Sequence, residues 1–410
     1  MATLKVLIVE DSELVSDILT EALESDKRIK VVGVARNGVE ALELVPRLNP
    51  NLITMDVWMP VMNGFDTVER IMADHPTPIL VITSSSLKED VQLSLRMLSA
   101  GALDVMEKPS FQDEKQWERN RSELLAKVHL LAGIKVVTHL KGRFATDPNG
   151  VVTPRYPTTK PPTISTVKPP VRPYTIRDED KVTKPLTLPP IPMVRRAVTP
   201  TAPTFGKRPP EKVTFPTESF YQIVTIASST GGPSALLKIL QDLPPNLPAG
   251  VLIVQHISQG FTQGLVEWLQ REINLKVRVA HNDDRVTPGT VFLAPDRMNM
   301  IVKPYSDFRI GLNSDGEEYI RPNADILLNS VARVYAERAI GIVLTGMGSD
   351  GANGLKEMSR YGAQTIAQDE ATSLIYGMPK AATENGAARQ VIPLGQMANA
   401  IIKLLQQPAQ

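Results

Sequence analysis

Five short apolar runs punctuate the first third of the chain: LKVLIV, KVVGVA, NLITM, PILVITS and ALDVM. Between and after them, apolar residues recur every three or four positions, near 13–24, 38–48, 64–73, 88–100 and 114–132, which is the helical period. Runs that are apolar throughout, instead of alternating with polar residues, predict strands buried on both faces, hence a parallel sheet covered by helices. A second set begins after residue 217. QIVTIA reads as a buried strand, PSALLKILQDL as a helix with proline in its first turn, PAGVLIVQ as a strand, and IGIVL (340–344) as a strand that enters a glycine-dense loop. The expected fold class is α/β, with two doubly wound parallel-sheet domains over 1–135 and 217–410.

The segment between them, 136–216, breaks both patterns. Residues 140–216 hold 17 of the 34 prolines, only three glycines, and 14 Lys and Arg against 5 Asp and Glu. Such a stretch buries too little apolar surface to offset its ordering entropy and is expected to be an extended, semi-rigid basic linker. The net charge of +1 for all 410 residues conceals that asymmetry. The absence of cysteine excludes disulfides, thiolate metal sites and cysteine nucleophiles. No apolar run reaches membrane-spanning length and the first residues lead directly into a strand pattern, so a cytoplasmic protein is expected.

In open parallel sheets, ligands bind at the carboxyl ends of the strands. In the first domain those ends carry Glu10 and Asp11, Asp56, Thr83, and Lys108 followed by Pro109. Any one of these reads as a capping or solvated group. Together, three carboxylates at one sheet edge repel one another unless a divalent cation lies among them, and all-oxygen ligation suits Mg²⁺. Thr83 and Lys108 are then placed to contact an anion on Asp56. VEDS, MDVWMPVMNG and EKP, at these positions, resemble the response-regulator receiver domain, a flavodoxin-like fold. The resemblance implies that Asp56 accepts a phosphoryl group and that Glu10, Asp11, Asp56 and the Trp58 backbone carbonyl bind Mg²⁺. It also implies that Thr83 and Lys108 read the phosphoryl group. One position departs: Val105 stands where such domains usually carry an aromatic switch residue.

In the second domain the informative stretch is TIASSTGGPSALLKIL, from Thr225. A nucleotide loop is excluded, because neither the G-x-G-x-x-G spacing nor the phosphate-binding lysine of a P-loop is present. Two readings stay open: a hydroxyl cap on the helix, or a sharp elbow presenting a nucleophilic serine between small residues. For an elbow, Ala227-Ser228-Ser229-Thr230-Gly231 favours Ser229; centring on Ser228 places bulk on both sides. A base is needed, and of five histidines only His256 ends a buried strand, whereas His281 follows a more polar strand and reads as solvated. Asp350, in the glycine-dense LTGMGSDGANG, is the candidate orienting acid, although Asp-Gly is also an ordinary turn pair. Four glycines from 346 to 354 suggest backbone approached by substrate or donating N–H groups. The order Ser229, His256, Asp350 differs from that of α/β-hydrolases.

ASSTGGPSAL, QHISQGFTQGL, RPNADILLNSVA, LTGMGSDGANGL and IAQDEATSLIYGMP together resemble the Rossmann-like catalytic domain of the chemotaxis protein-glutamate methylesterases. That family couples a receiver to a methylesterase. The resemblance implies a hydrolase that removes methyl esters from glutamate side chains of chemoreceptors, deamidates receptor glutamines, and is regulated by phosphorylation from a chemotaxis histidine kinase. It assigns Ser229 as nucleophile, His256 as general base and then acid, Asp350 as orienting carboxylate, and places Thr230 and the Met347 N–H by the oxyanion. No cofactor is implied for the esterase. Ser228 stands where the family commonly has alanine. A rival reading, a receiver driving a DNA-binding output, is disfavoured: 217–410 holds 16 basic against 18 acidic residues in an α/β pattern. No nucleic-acid partner is expected, and contact with a membrane only through receptors. A catalytically dead scaffold is disfavoured by the intact Ser/His/Asp set.

Overall fold

In the computed structural model, the described residues are 3–84, 88–109, 114–134, 136, 144–146, 152–154, 213–216, 222–304, 308–314 and 320–408. The first half of the chain alternates strictly: β1 (Leu4–Val9), α1 (Glu13–Glu24), β2 (Ile29–Ala35), α2 (Gly38–Leu48), β3 (Leu52–Met55), α3 (Gly64–Asp74), β4 (Ile79–Thr83), α4 (Lys88–Ser99), β5 (Asp104–Glu107) and α5 (Glu114–Leu131). Side chains start the first three helices: Ser12, Asn37 and Asn63 each accept a hydrogen bond from a first-turn backbone N–H. The strands form one parallel sheet in the order β2-β1-β3-β4-β5. The order reverses between β1 and β3, which brings the ends of those two strands together at the crevice where such sheets hold ligands. Val9 pairs with Met55 and the Asp56 N–H donates to the Val9 carbonyl, so Glu10 and Asp56 emerge side by side.

Two short strands follow, β6 (Phe144–Thr146) and β7 (Val152–Pro154), paired as a two-stranded sheet. Composition gave no sign of them in a segment expected to be extended throughout. Most of the expected linker lies outside the described residues. Val213–Pro216, also expected in it, are anchored: Asn246 Nδ2 donates to the Val213 carbonyl, Gln406 Nε2 to the Thr214 carbonyl, and Phe215 is partly buried against apolar side chains.

The second half of the chain comprises β8 (Ile223–Ser228), α6 (Gly232–Leu240), β9 (Gly250–Gln255), α7 (Thr262–Glu272), β10 (Lys276–Val279), β11 (Thr290–Leu293), the separate hairpin of β12 (Asn299–Val302) and β13 (Ile310–Asn313), α8 (Ala324–Tyr335), β14 (Ala339–Val343), α9 (Ala352–Arg360), β15 (Gln364–Gln368), α10 (Met378–Glu384), β16 (Gln390–Ile392) and α11 (Leu394–Leu405). Seven strands lie parallel in the order β10-β11-β9-β8-β14-β15-β16. Strands β8, β9, β11 and β14 are buried along their whole length, as their unbroken apolar runs require. The order reverses around β8, so the loops after β8, β9 and β14 converge.

The two sheets belong to one compact unit, Met1–Phe144 with Gly206–Gln410. Helix α4 lies against α7 at close range: a Cβ added to Gly264 would stand 2.3 Å from Val91 Cγ1. Gln92 Nε2 donates to a Glu267 carboxylate oxygen across the same seam. A single apolar cluster runs through both, holding Val91 and Leu95 together with Leu265 and Leu269. Among the described residues no helix is long and apolar enough to cross a membrane.

Candidate functional site

Strand β8 ends at Ser228, whose register partner in β9 is Gln255. Ser229 and His256 are the residues that follow this last pair. The His256 N–H still donates to the Ser228 carbonyl at 2.9 Å, and the Ser229 N–H donates to the Thr345 carbonyl beyond β14 at 3.0 Å. Parallel pairing thus places the candidate nucleophile, base and acid loops at one sheet edge without help from any long loop.

His256 Nε2 lies 2.9 Å from Asp350 Oδ2. A carboxylate only accepts, so Nε2 carries the hydrogen there and Nδ1 is the nitrogen left free to take a proton. Side-chain exposure is 15% for His256 and 8% for Asp350. Asp350 is pinned from the other side by the N-terminus of α8, where the Ala324 N–H donates to Oδ2 at 2.7 Å and the Asp325 N–H to Oδ1 at 2.9 Å. Burial works to raise its pKa, but the His256 bond and these two N–H groups outweigh it and hold the carboxyl below its ordinary range. It stays ionised beside the imidazole. His281, in contrast, has a side chain 73% exposed and belongs to a surface charge network with Asp284.

The hydroxyl-cap reading of the Ser228–Ser229 pair is not what forms. Helix α6 has Gly231 as its N-cap with no side-chain cap bond, and Gly231 adopts a φ of 76° that turns the chain sharply into the helix. Ser228 is fully buried and its Oγ donates inward to Gln255 Oε1 at 2.6 Å. Ser229 is the partly exposed one of the two. Thr230 is buried under it, its carbonyl held by the Thr345 hydroxyl at 3.0 Å, and Met347 is 47% exposed on the facing loop. The four glycines of that loop divide by cause. A Cβ on Gly346 would meet Ser229 Cβ at 2.7 Å; Gly351 caps α9 with a φ of 89°; Gly354 packs on Asp325 and Leu328. Only Gly348, with a φ of 86° and nothing within 4 Å of its missing Cβ, faces open space. Packing accounts for most of a glycine density that the sequence suggested was for substrate approach or N–H donation.

At the other sheet edge, Glu10, Asp11 and Asp56 each offer an oxygen within 4.8 Å of the others. Lys108 Nζ reaches Glu10 Oε2 at 2.8 Å and Asp56 Oδ2 at 3.0 Å. Burial, then the repulsion of Asp56, raises the Glu10 pKa, and burial raises that of Asp56. Burial opposes the Lys108 charge, but its two carboxylate neighbours more than restore it. Three hard oxygen donors whose charges repel in a partly buried cleft fit a divalent cation such as Mg²⁺. Thr83 is buried at the end of β4, and Val105 is buried in the apolar core beneath the sheet, so no aromatic ring stands at that position. Trp58, half exposed, instead sends its indole N–H to Asp90 Oδ1 at 2.7 Å, and Ser84 Oγ donates to Asp90 Oδ2 at 2.8 Å, which ties two loops of the cleft to the start of α4. The tight approach of Gly64 to the Asp56 carbonyl, 2.1 Å from a would-be Cβ, explains the glycine in VMNG.

Three residues around the Ser229–His256–Asp350 cluster were not singled out from sequence. Gln255 is the polar end of an apolar strand, a signal present in VLIVQ. Thr345 is buried, and its hydroxyl accepts from the Ile375 N–H while donating to Thr230. Asp325, raised by burial and by the nearby Asp350 charge, takes the Gly354 N–H and fastens α8 to α9. An Asn-Ala-Asp before an apolar helix reads as an ordinary cap and first-turn acid, which hid its place under Asp350.

Two known families cover both halves: one described as CheB methylesterase matches residues 224–401, and one described as response regulator receiver domain matches residues 6–116. A protein-glutamate methylesterase/protein-glutamine glutaminase of Syntrophus aciditrophicus is 37% identical over 98% of this chain and 98% of its own. One from Symbiobacterium thermophilum is 36% identical over 98% and 96%. The crystal structure of the Thermotoga maritima CheB methylesterase catalytic domain is 36% identical, covers 45% of this chain and 98% of its own, and superposes with a TM-score of 0.43.

Proposed function

The chain belongs to the protein-glutamate methylesterase/protein-glutamine glutaminase family, and on that premise we propose that Ser229, His256 and Asp350 form the triad of a receiver-regulated hydrolase of chemoreceptors. The observation that carries this reading is the His256–Asp350 bond, anchored on the α8 N-terminus, with Ser229 and His256 each following the last pair of the β8–β9 ladder. Ser229 Oγ attacks the side-chain carbonyl carbon of a receptor γ-methyl glutamate while His256 Nδ1 takes its proton. The resulting imidazolium is held by the ionised Asp350. Backbone N–H groups around Thr230 and Met347 receive the oxyanion. His256 returns the proton to the departing methoxide, releasing methanol. A water molecule, deprotonated by the same ring, then hydrolyses the glutamyl–serine ester, leaving glutamate and free Ser229. A glutamine side chain follows the same steps with ammonia as the leaving group.

Asp56 is the phospho-acceptor in this reading. Glu10, Asp11, Asp56 and the Trp58 carbonyl would hold Mg²⁺, which neutralises charge on the incoming phosphoryl group, while Lys108 and Thr83 hold its oxygens. The phosphodonor is a chemotaxis histidine kinase, and the protein works in the cytoplasm, meeting the membrane only through receptors. The packing of α4 on α7, and the grouping of Ile375 beside the elbow with receiver residues Leu124 and Val128, support a covered esterase face that phosphorylation uncovers. Methanol release from methylated receptor membranes, with and without an acyl phosphate as donor, tests the whole scheme. S229A should lose at least about 10³-fold in kcat, and wild-type activity in S229A would end the triad reading.

A further inference from the structure

We propose that Gln255 is a positioning residue for this reaction, its carboxamide clamping the backbones of nucleophile and base, with Ser228 setting the orientation of the amide; the inference rests on the triad reading above. Gln255 is 5% exposed and lies beneath the elbow. Its Nε2 donates to the Ser229 carbonyl at 2.8 Å and to the His256 carbonyl at 2.7 Å, and its Oε1 accepts from Ser228 Oγ at 2.6 Å. Two N–H groups meet two carbonyls and the one oxygen meets a hydroxyl. Turning the amide over would set its oxygen against both carbonyls and waste the Ser228 donor, so this orientation alone satisfies every group.

The clamp takes over where the sheet stops. The last ladder bond between β8 and β9 runs from the His256 N–H to the Ser228 carbonyl. The carbonyls of Ser229 and His256 lie one residue further, past the reach of strand pairing, and the Gln255 amide joins them as one more rung. The Ser229 carbonyl also accepts the Gly232 N–H at 2.7 Å, which closes the elbow turn. Both glycines of Ser-Thr-Gly-Gly then have a reason. Gly231 supplies the positive φ, and Gly232 makes room, since a Cβ there would stand 2.0 Å from Gln255 Oε1. Ser228, in place of the alanine common in the resembling family, is in this view part of the device and no competitor for the substrate.

Without the clamp two part-buried carbonyls lose a partner and the elbow is free to shift, and displacements of about 1 Å between reacting groups can cost about 10²-fold in rate. The test measures kcat and KM for methanol release by the full chain, under phosphodonor, for wild type, Q255M, S228A and the double variant, with S229A alongside and thermal unfolding to show that each is folded. Methionine keeps the length of the side chain and removes its polar groups. The expected result is a 10- to 100-fold fall in kcat for Q255M with KM within twofold, and a several-fold fall for S228A that vanishes in the Q255M background. A folded Q255M with wild-type kcat overturns the proposal. An equal effect of S228A in both backgrounds overturns the role given to Ser228. Should Q255M fail to fold, S228A decides, and an unchanged kcat there is the adverse result. Activity remaining in S229A would show instead that the triad reading had failed.

Discussion

Asp350 keeps its charge against burial because three donors converge on it: the His256 ring and the Ala324 and Asp325 N–H groups. D350N leaves the shape and removes the charge that holds the imidazolium, so kcat should fall by about 10²- to 10⁴-fold with little change in KM. The same bonds bear on stability. The folded-state pKa lies below the ordinary 3.8, so the contribution is complete above pH 3.8 and is lost as pH falls through the lower folded value. D350N should therefore unfold at a lower temperature than the native chain at neutral pH, with the gap closing in acid; parallel melting curves at pH 7 and below pH 3.8 check this. At this scale the sequence was readable where a residue's type is rare and its place is a strand end, as for His256 among five histidines. That Ser228 is the buried serine and Ser229 the partly exposed one agrees with the bulk on either side. Sequence reading failed for Gln255 and Asp325, because their work is to satisfy backbone groups brought near only by pairing of distant strands and helices.

Helices α4 and α7 touch through a glycine, with Gly264 lying under Val91. A methyl group placed at 2.3 Å from Val91 Cγ1 forces the helices apart, and such overpacking costs about 1–3 kcal/mol. If this seam keeps the esterase covered, G264A should raise methanol release measured without phosphodonor several-fold and shrink the stimulation a donor gives; an unchanged basal rate in a folded G264A would remove the seam from the regulation. The elements themselves were legible because parallel strands buried on both faces are apolar throughout and the covering helices keep a 3.6-residue period, as β8 and α6 illustrate. The seam was not. Gln92 and Glu267 read as solvated helix positions until the two helices are brought together. Nor was the β6–β7 pair, in a segment whose composition speaks for solvation.

The whole molecule stores unfavourable charge in one cleft and holds the proposed triad at another. Glu10 and Asp56 have raised pKa values, chiefly from burial, so at neutral pH their ionised forms oppose folding, and stability is lost as pH rises through those values. D56N relieves one of the two charges while Lys108 keeps Glu10. Its melting temperature should rise, and stimulation by a phosphodonor should disappear. A chelator should abolish phosphorylation of the native chain without changing its basal ester hydrolysis, which a phosphate-labelling assay beside methanol release will show. At the second cleft, β8–β9 pairing ends at Ser228 and Gln255, and the Gln255 amide spans the Ser229 and His256 carbonyls just beyond it, so that backbone distance is set within the second domain. A receiver that rocks over this edge has no lever on that distance. Under the proposed regulation, phosphorylation would enter the kinetics as a population: the fraction of molecules admitting substrate would change, multiplying a rate constant that stays fixed. The pH profile of methanol release should accordingly keep one shape at every level of stimulation and change only in height.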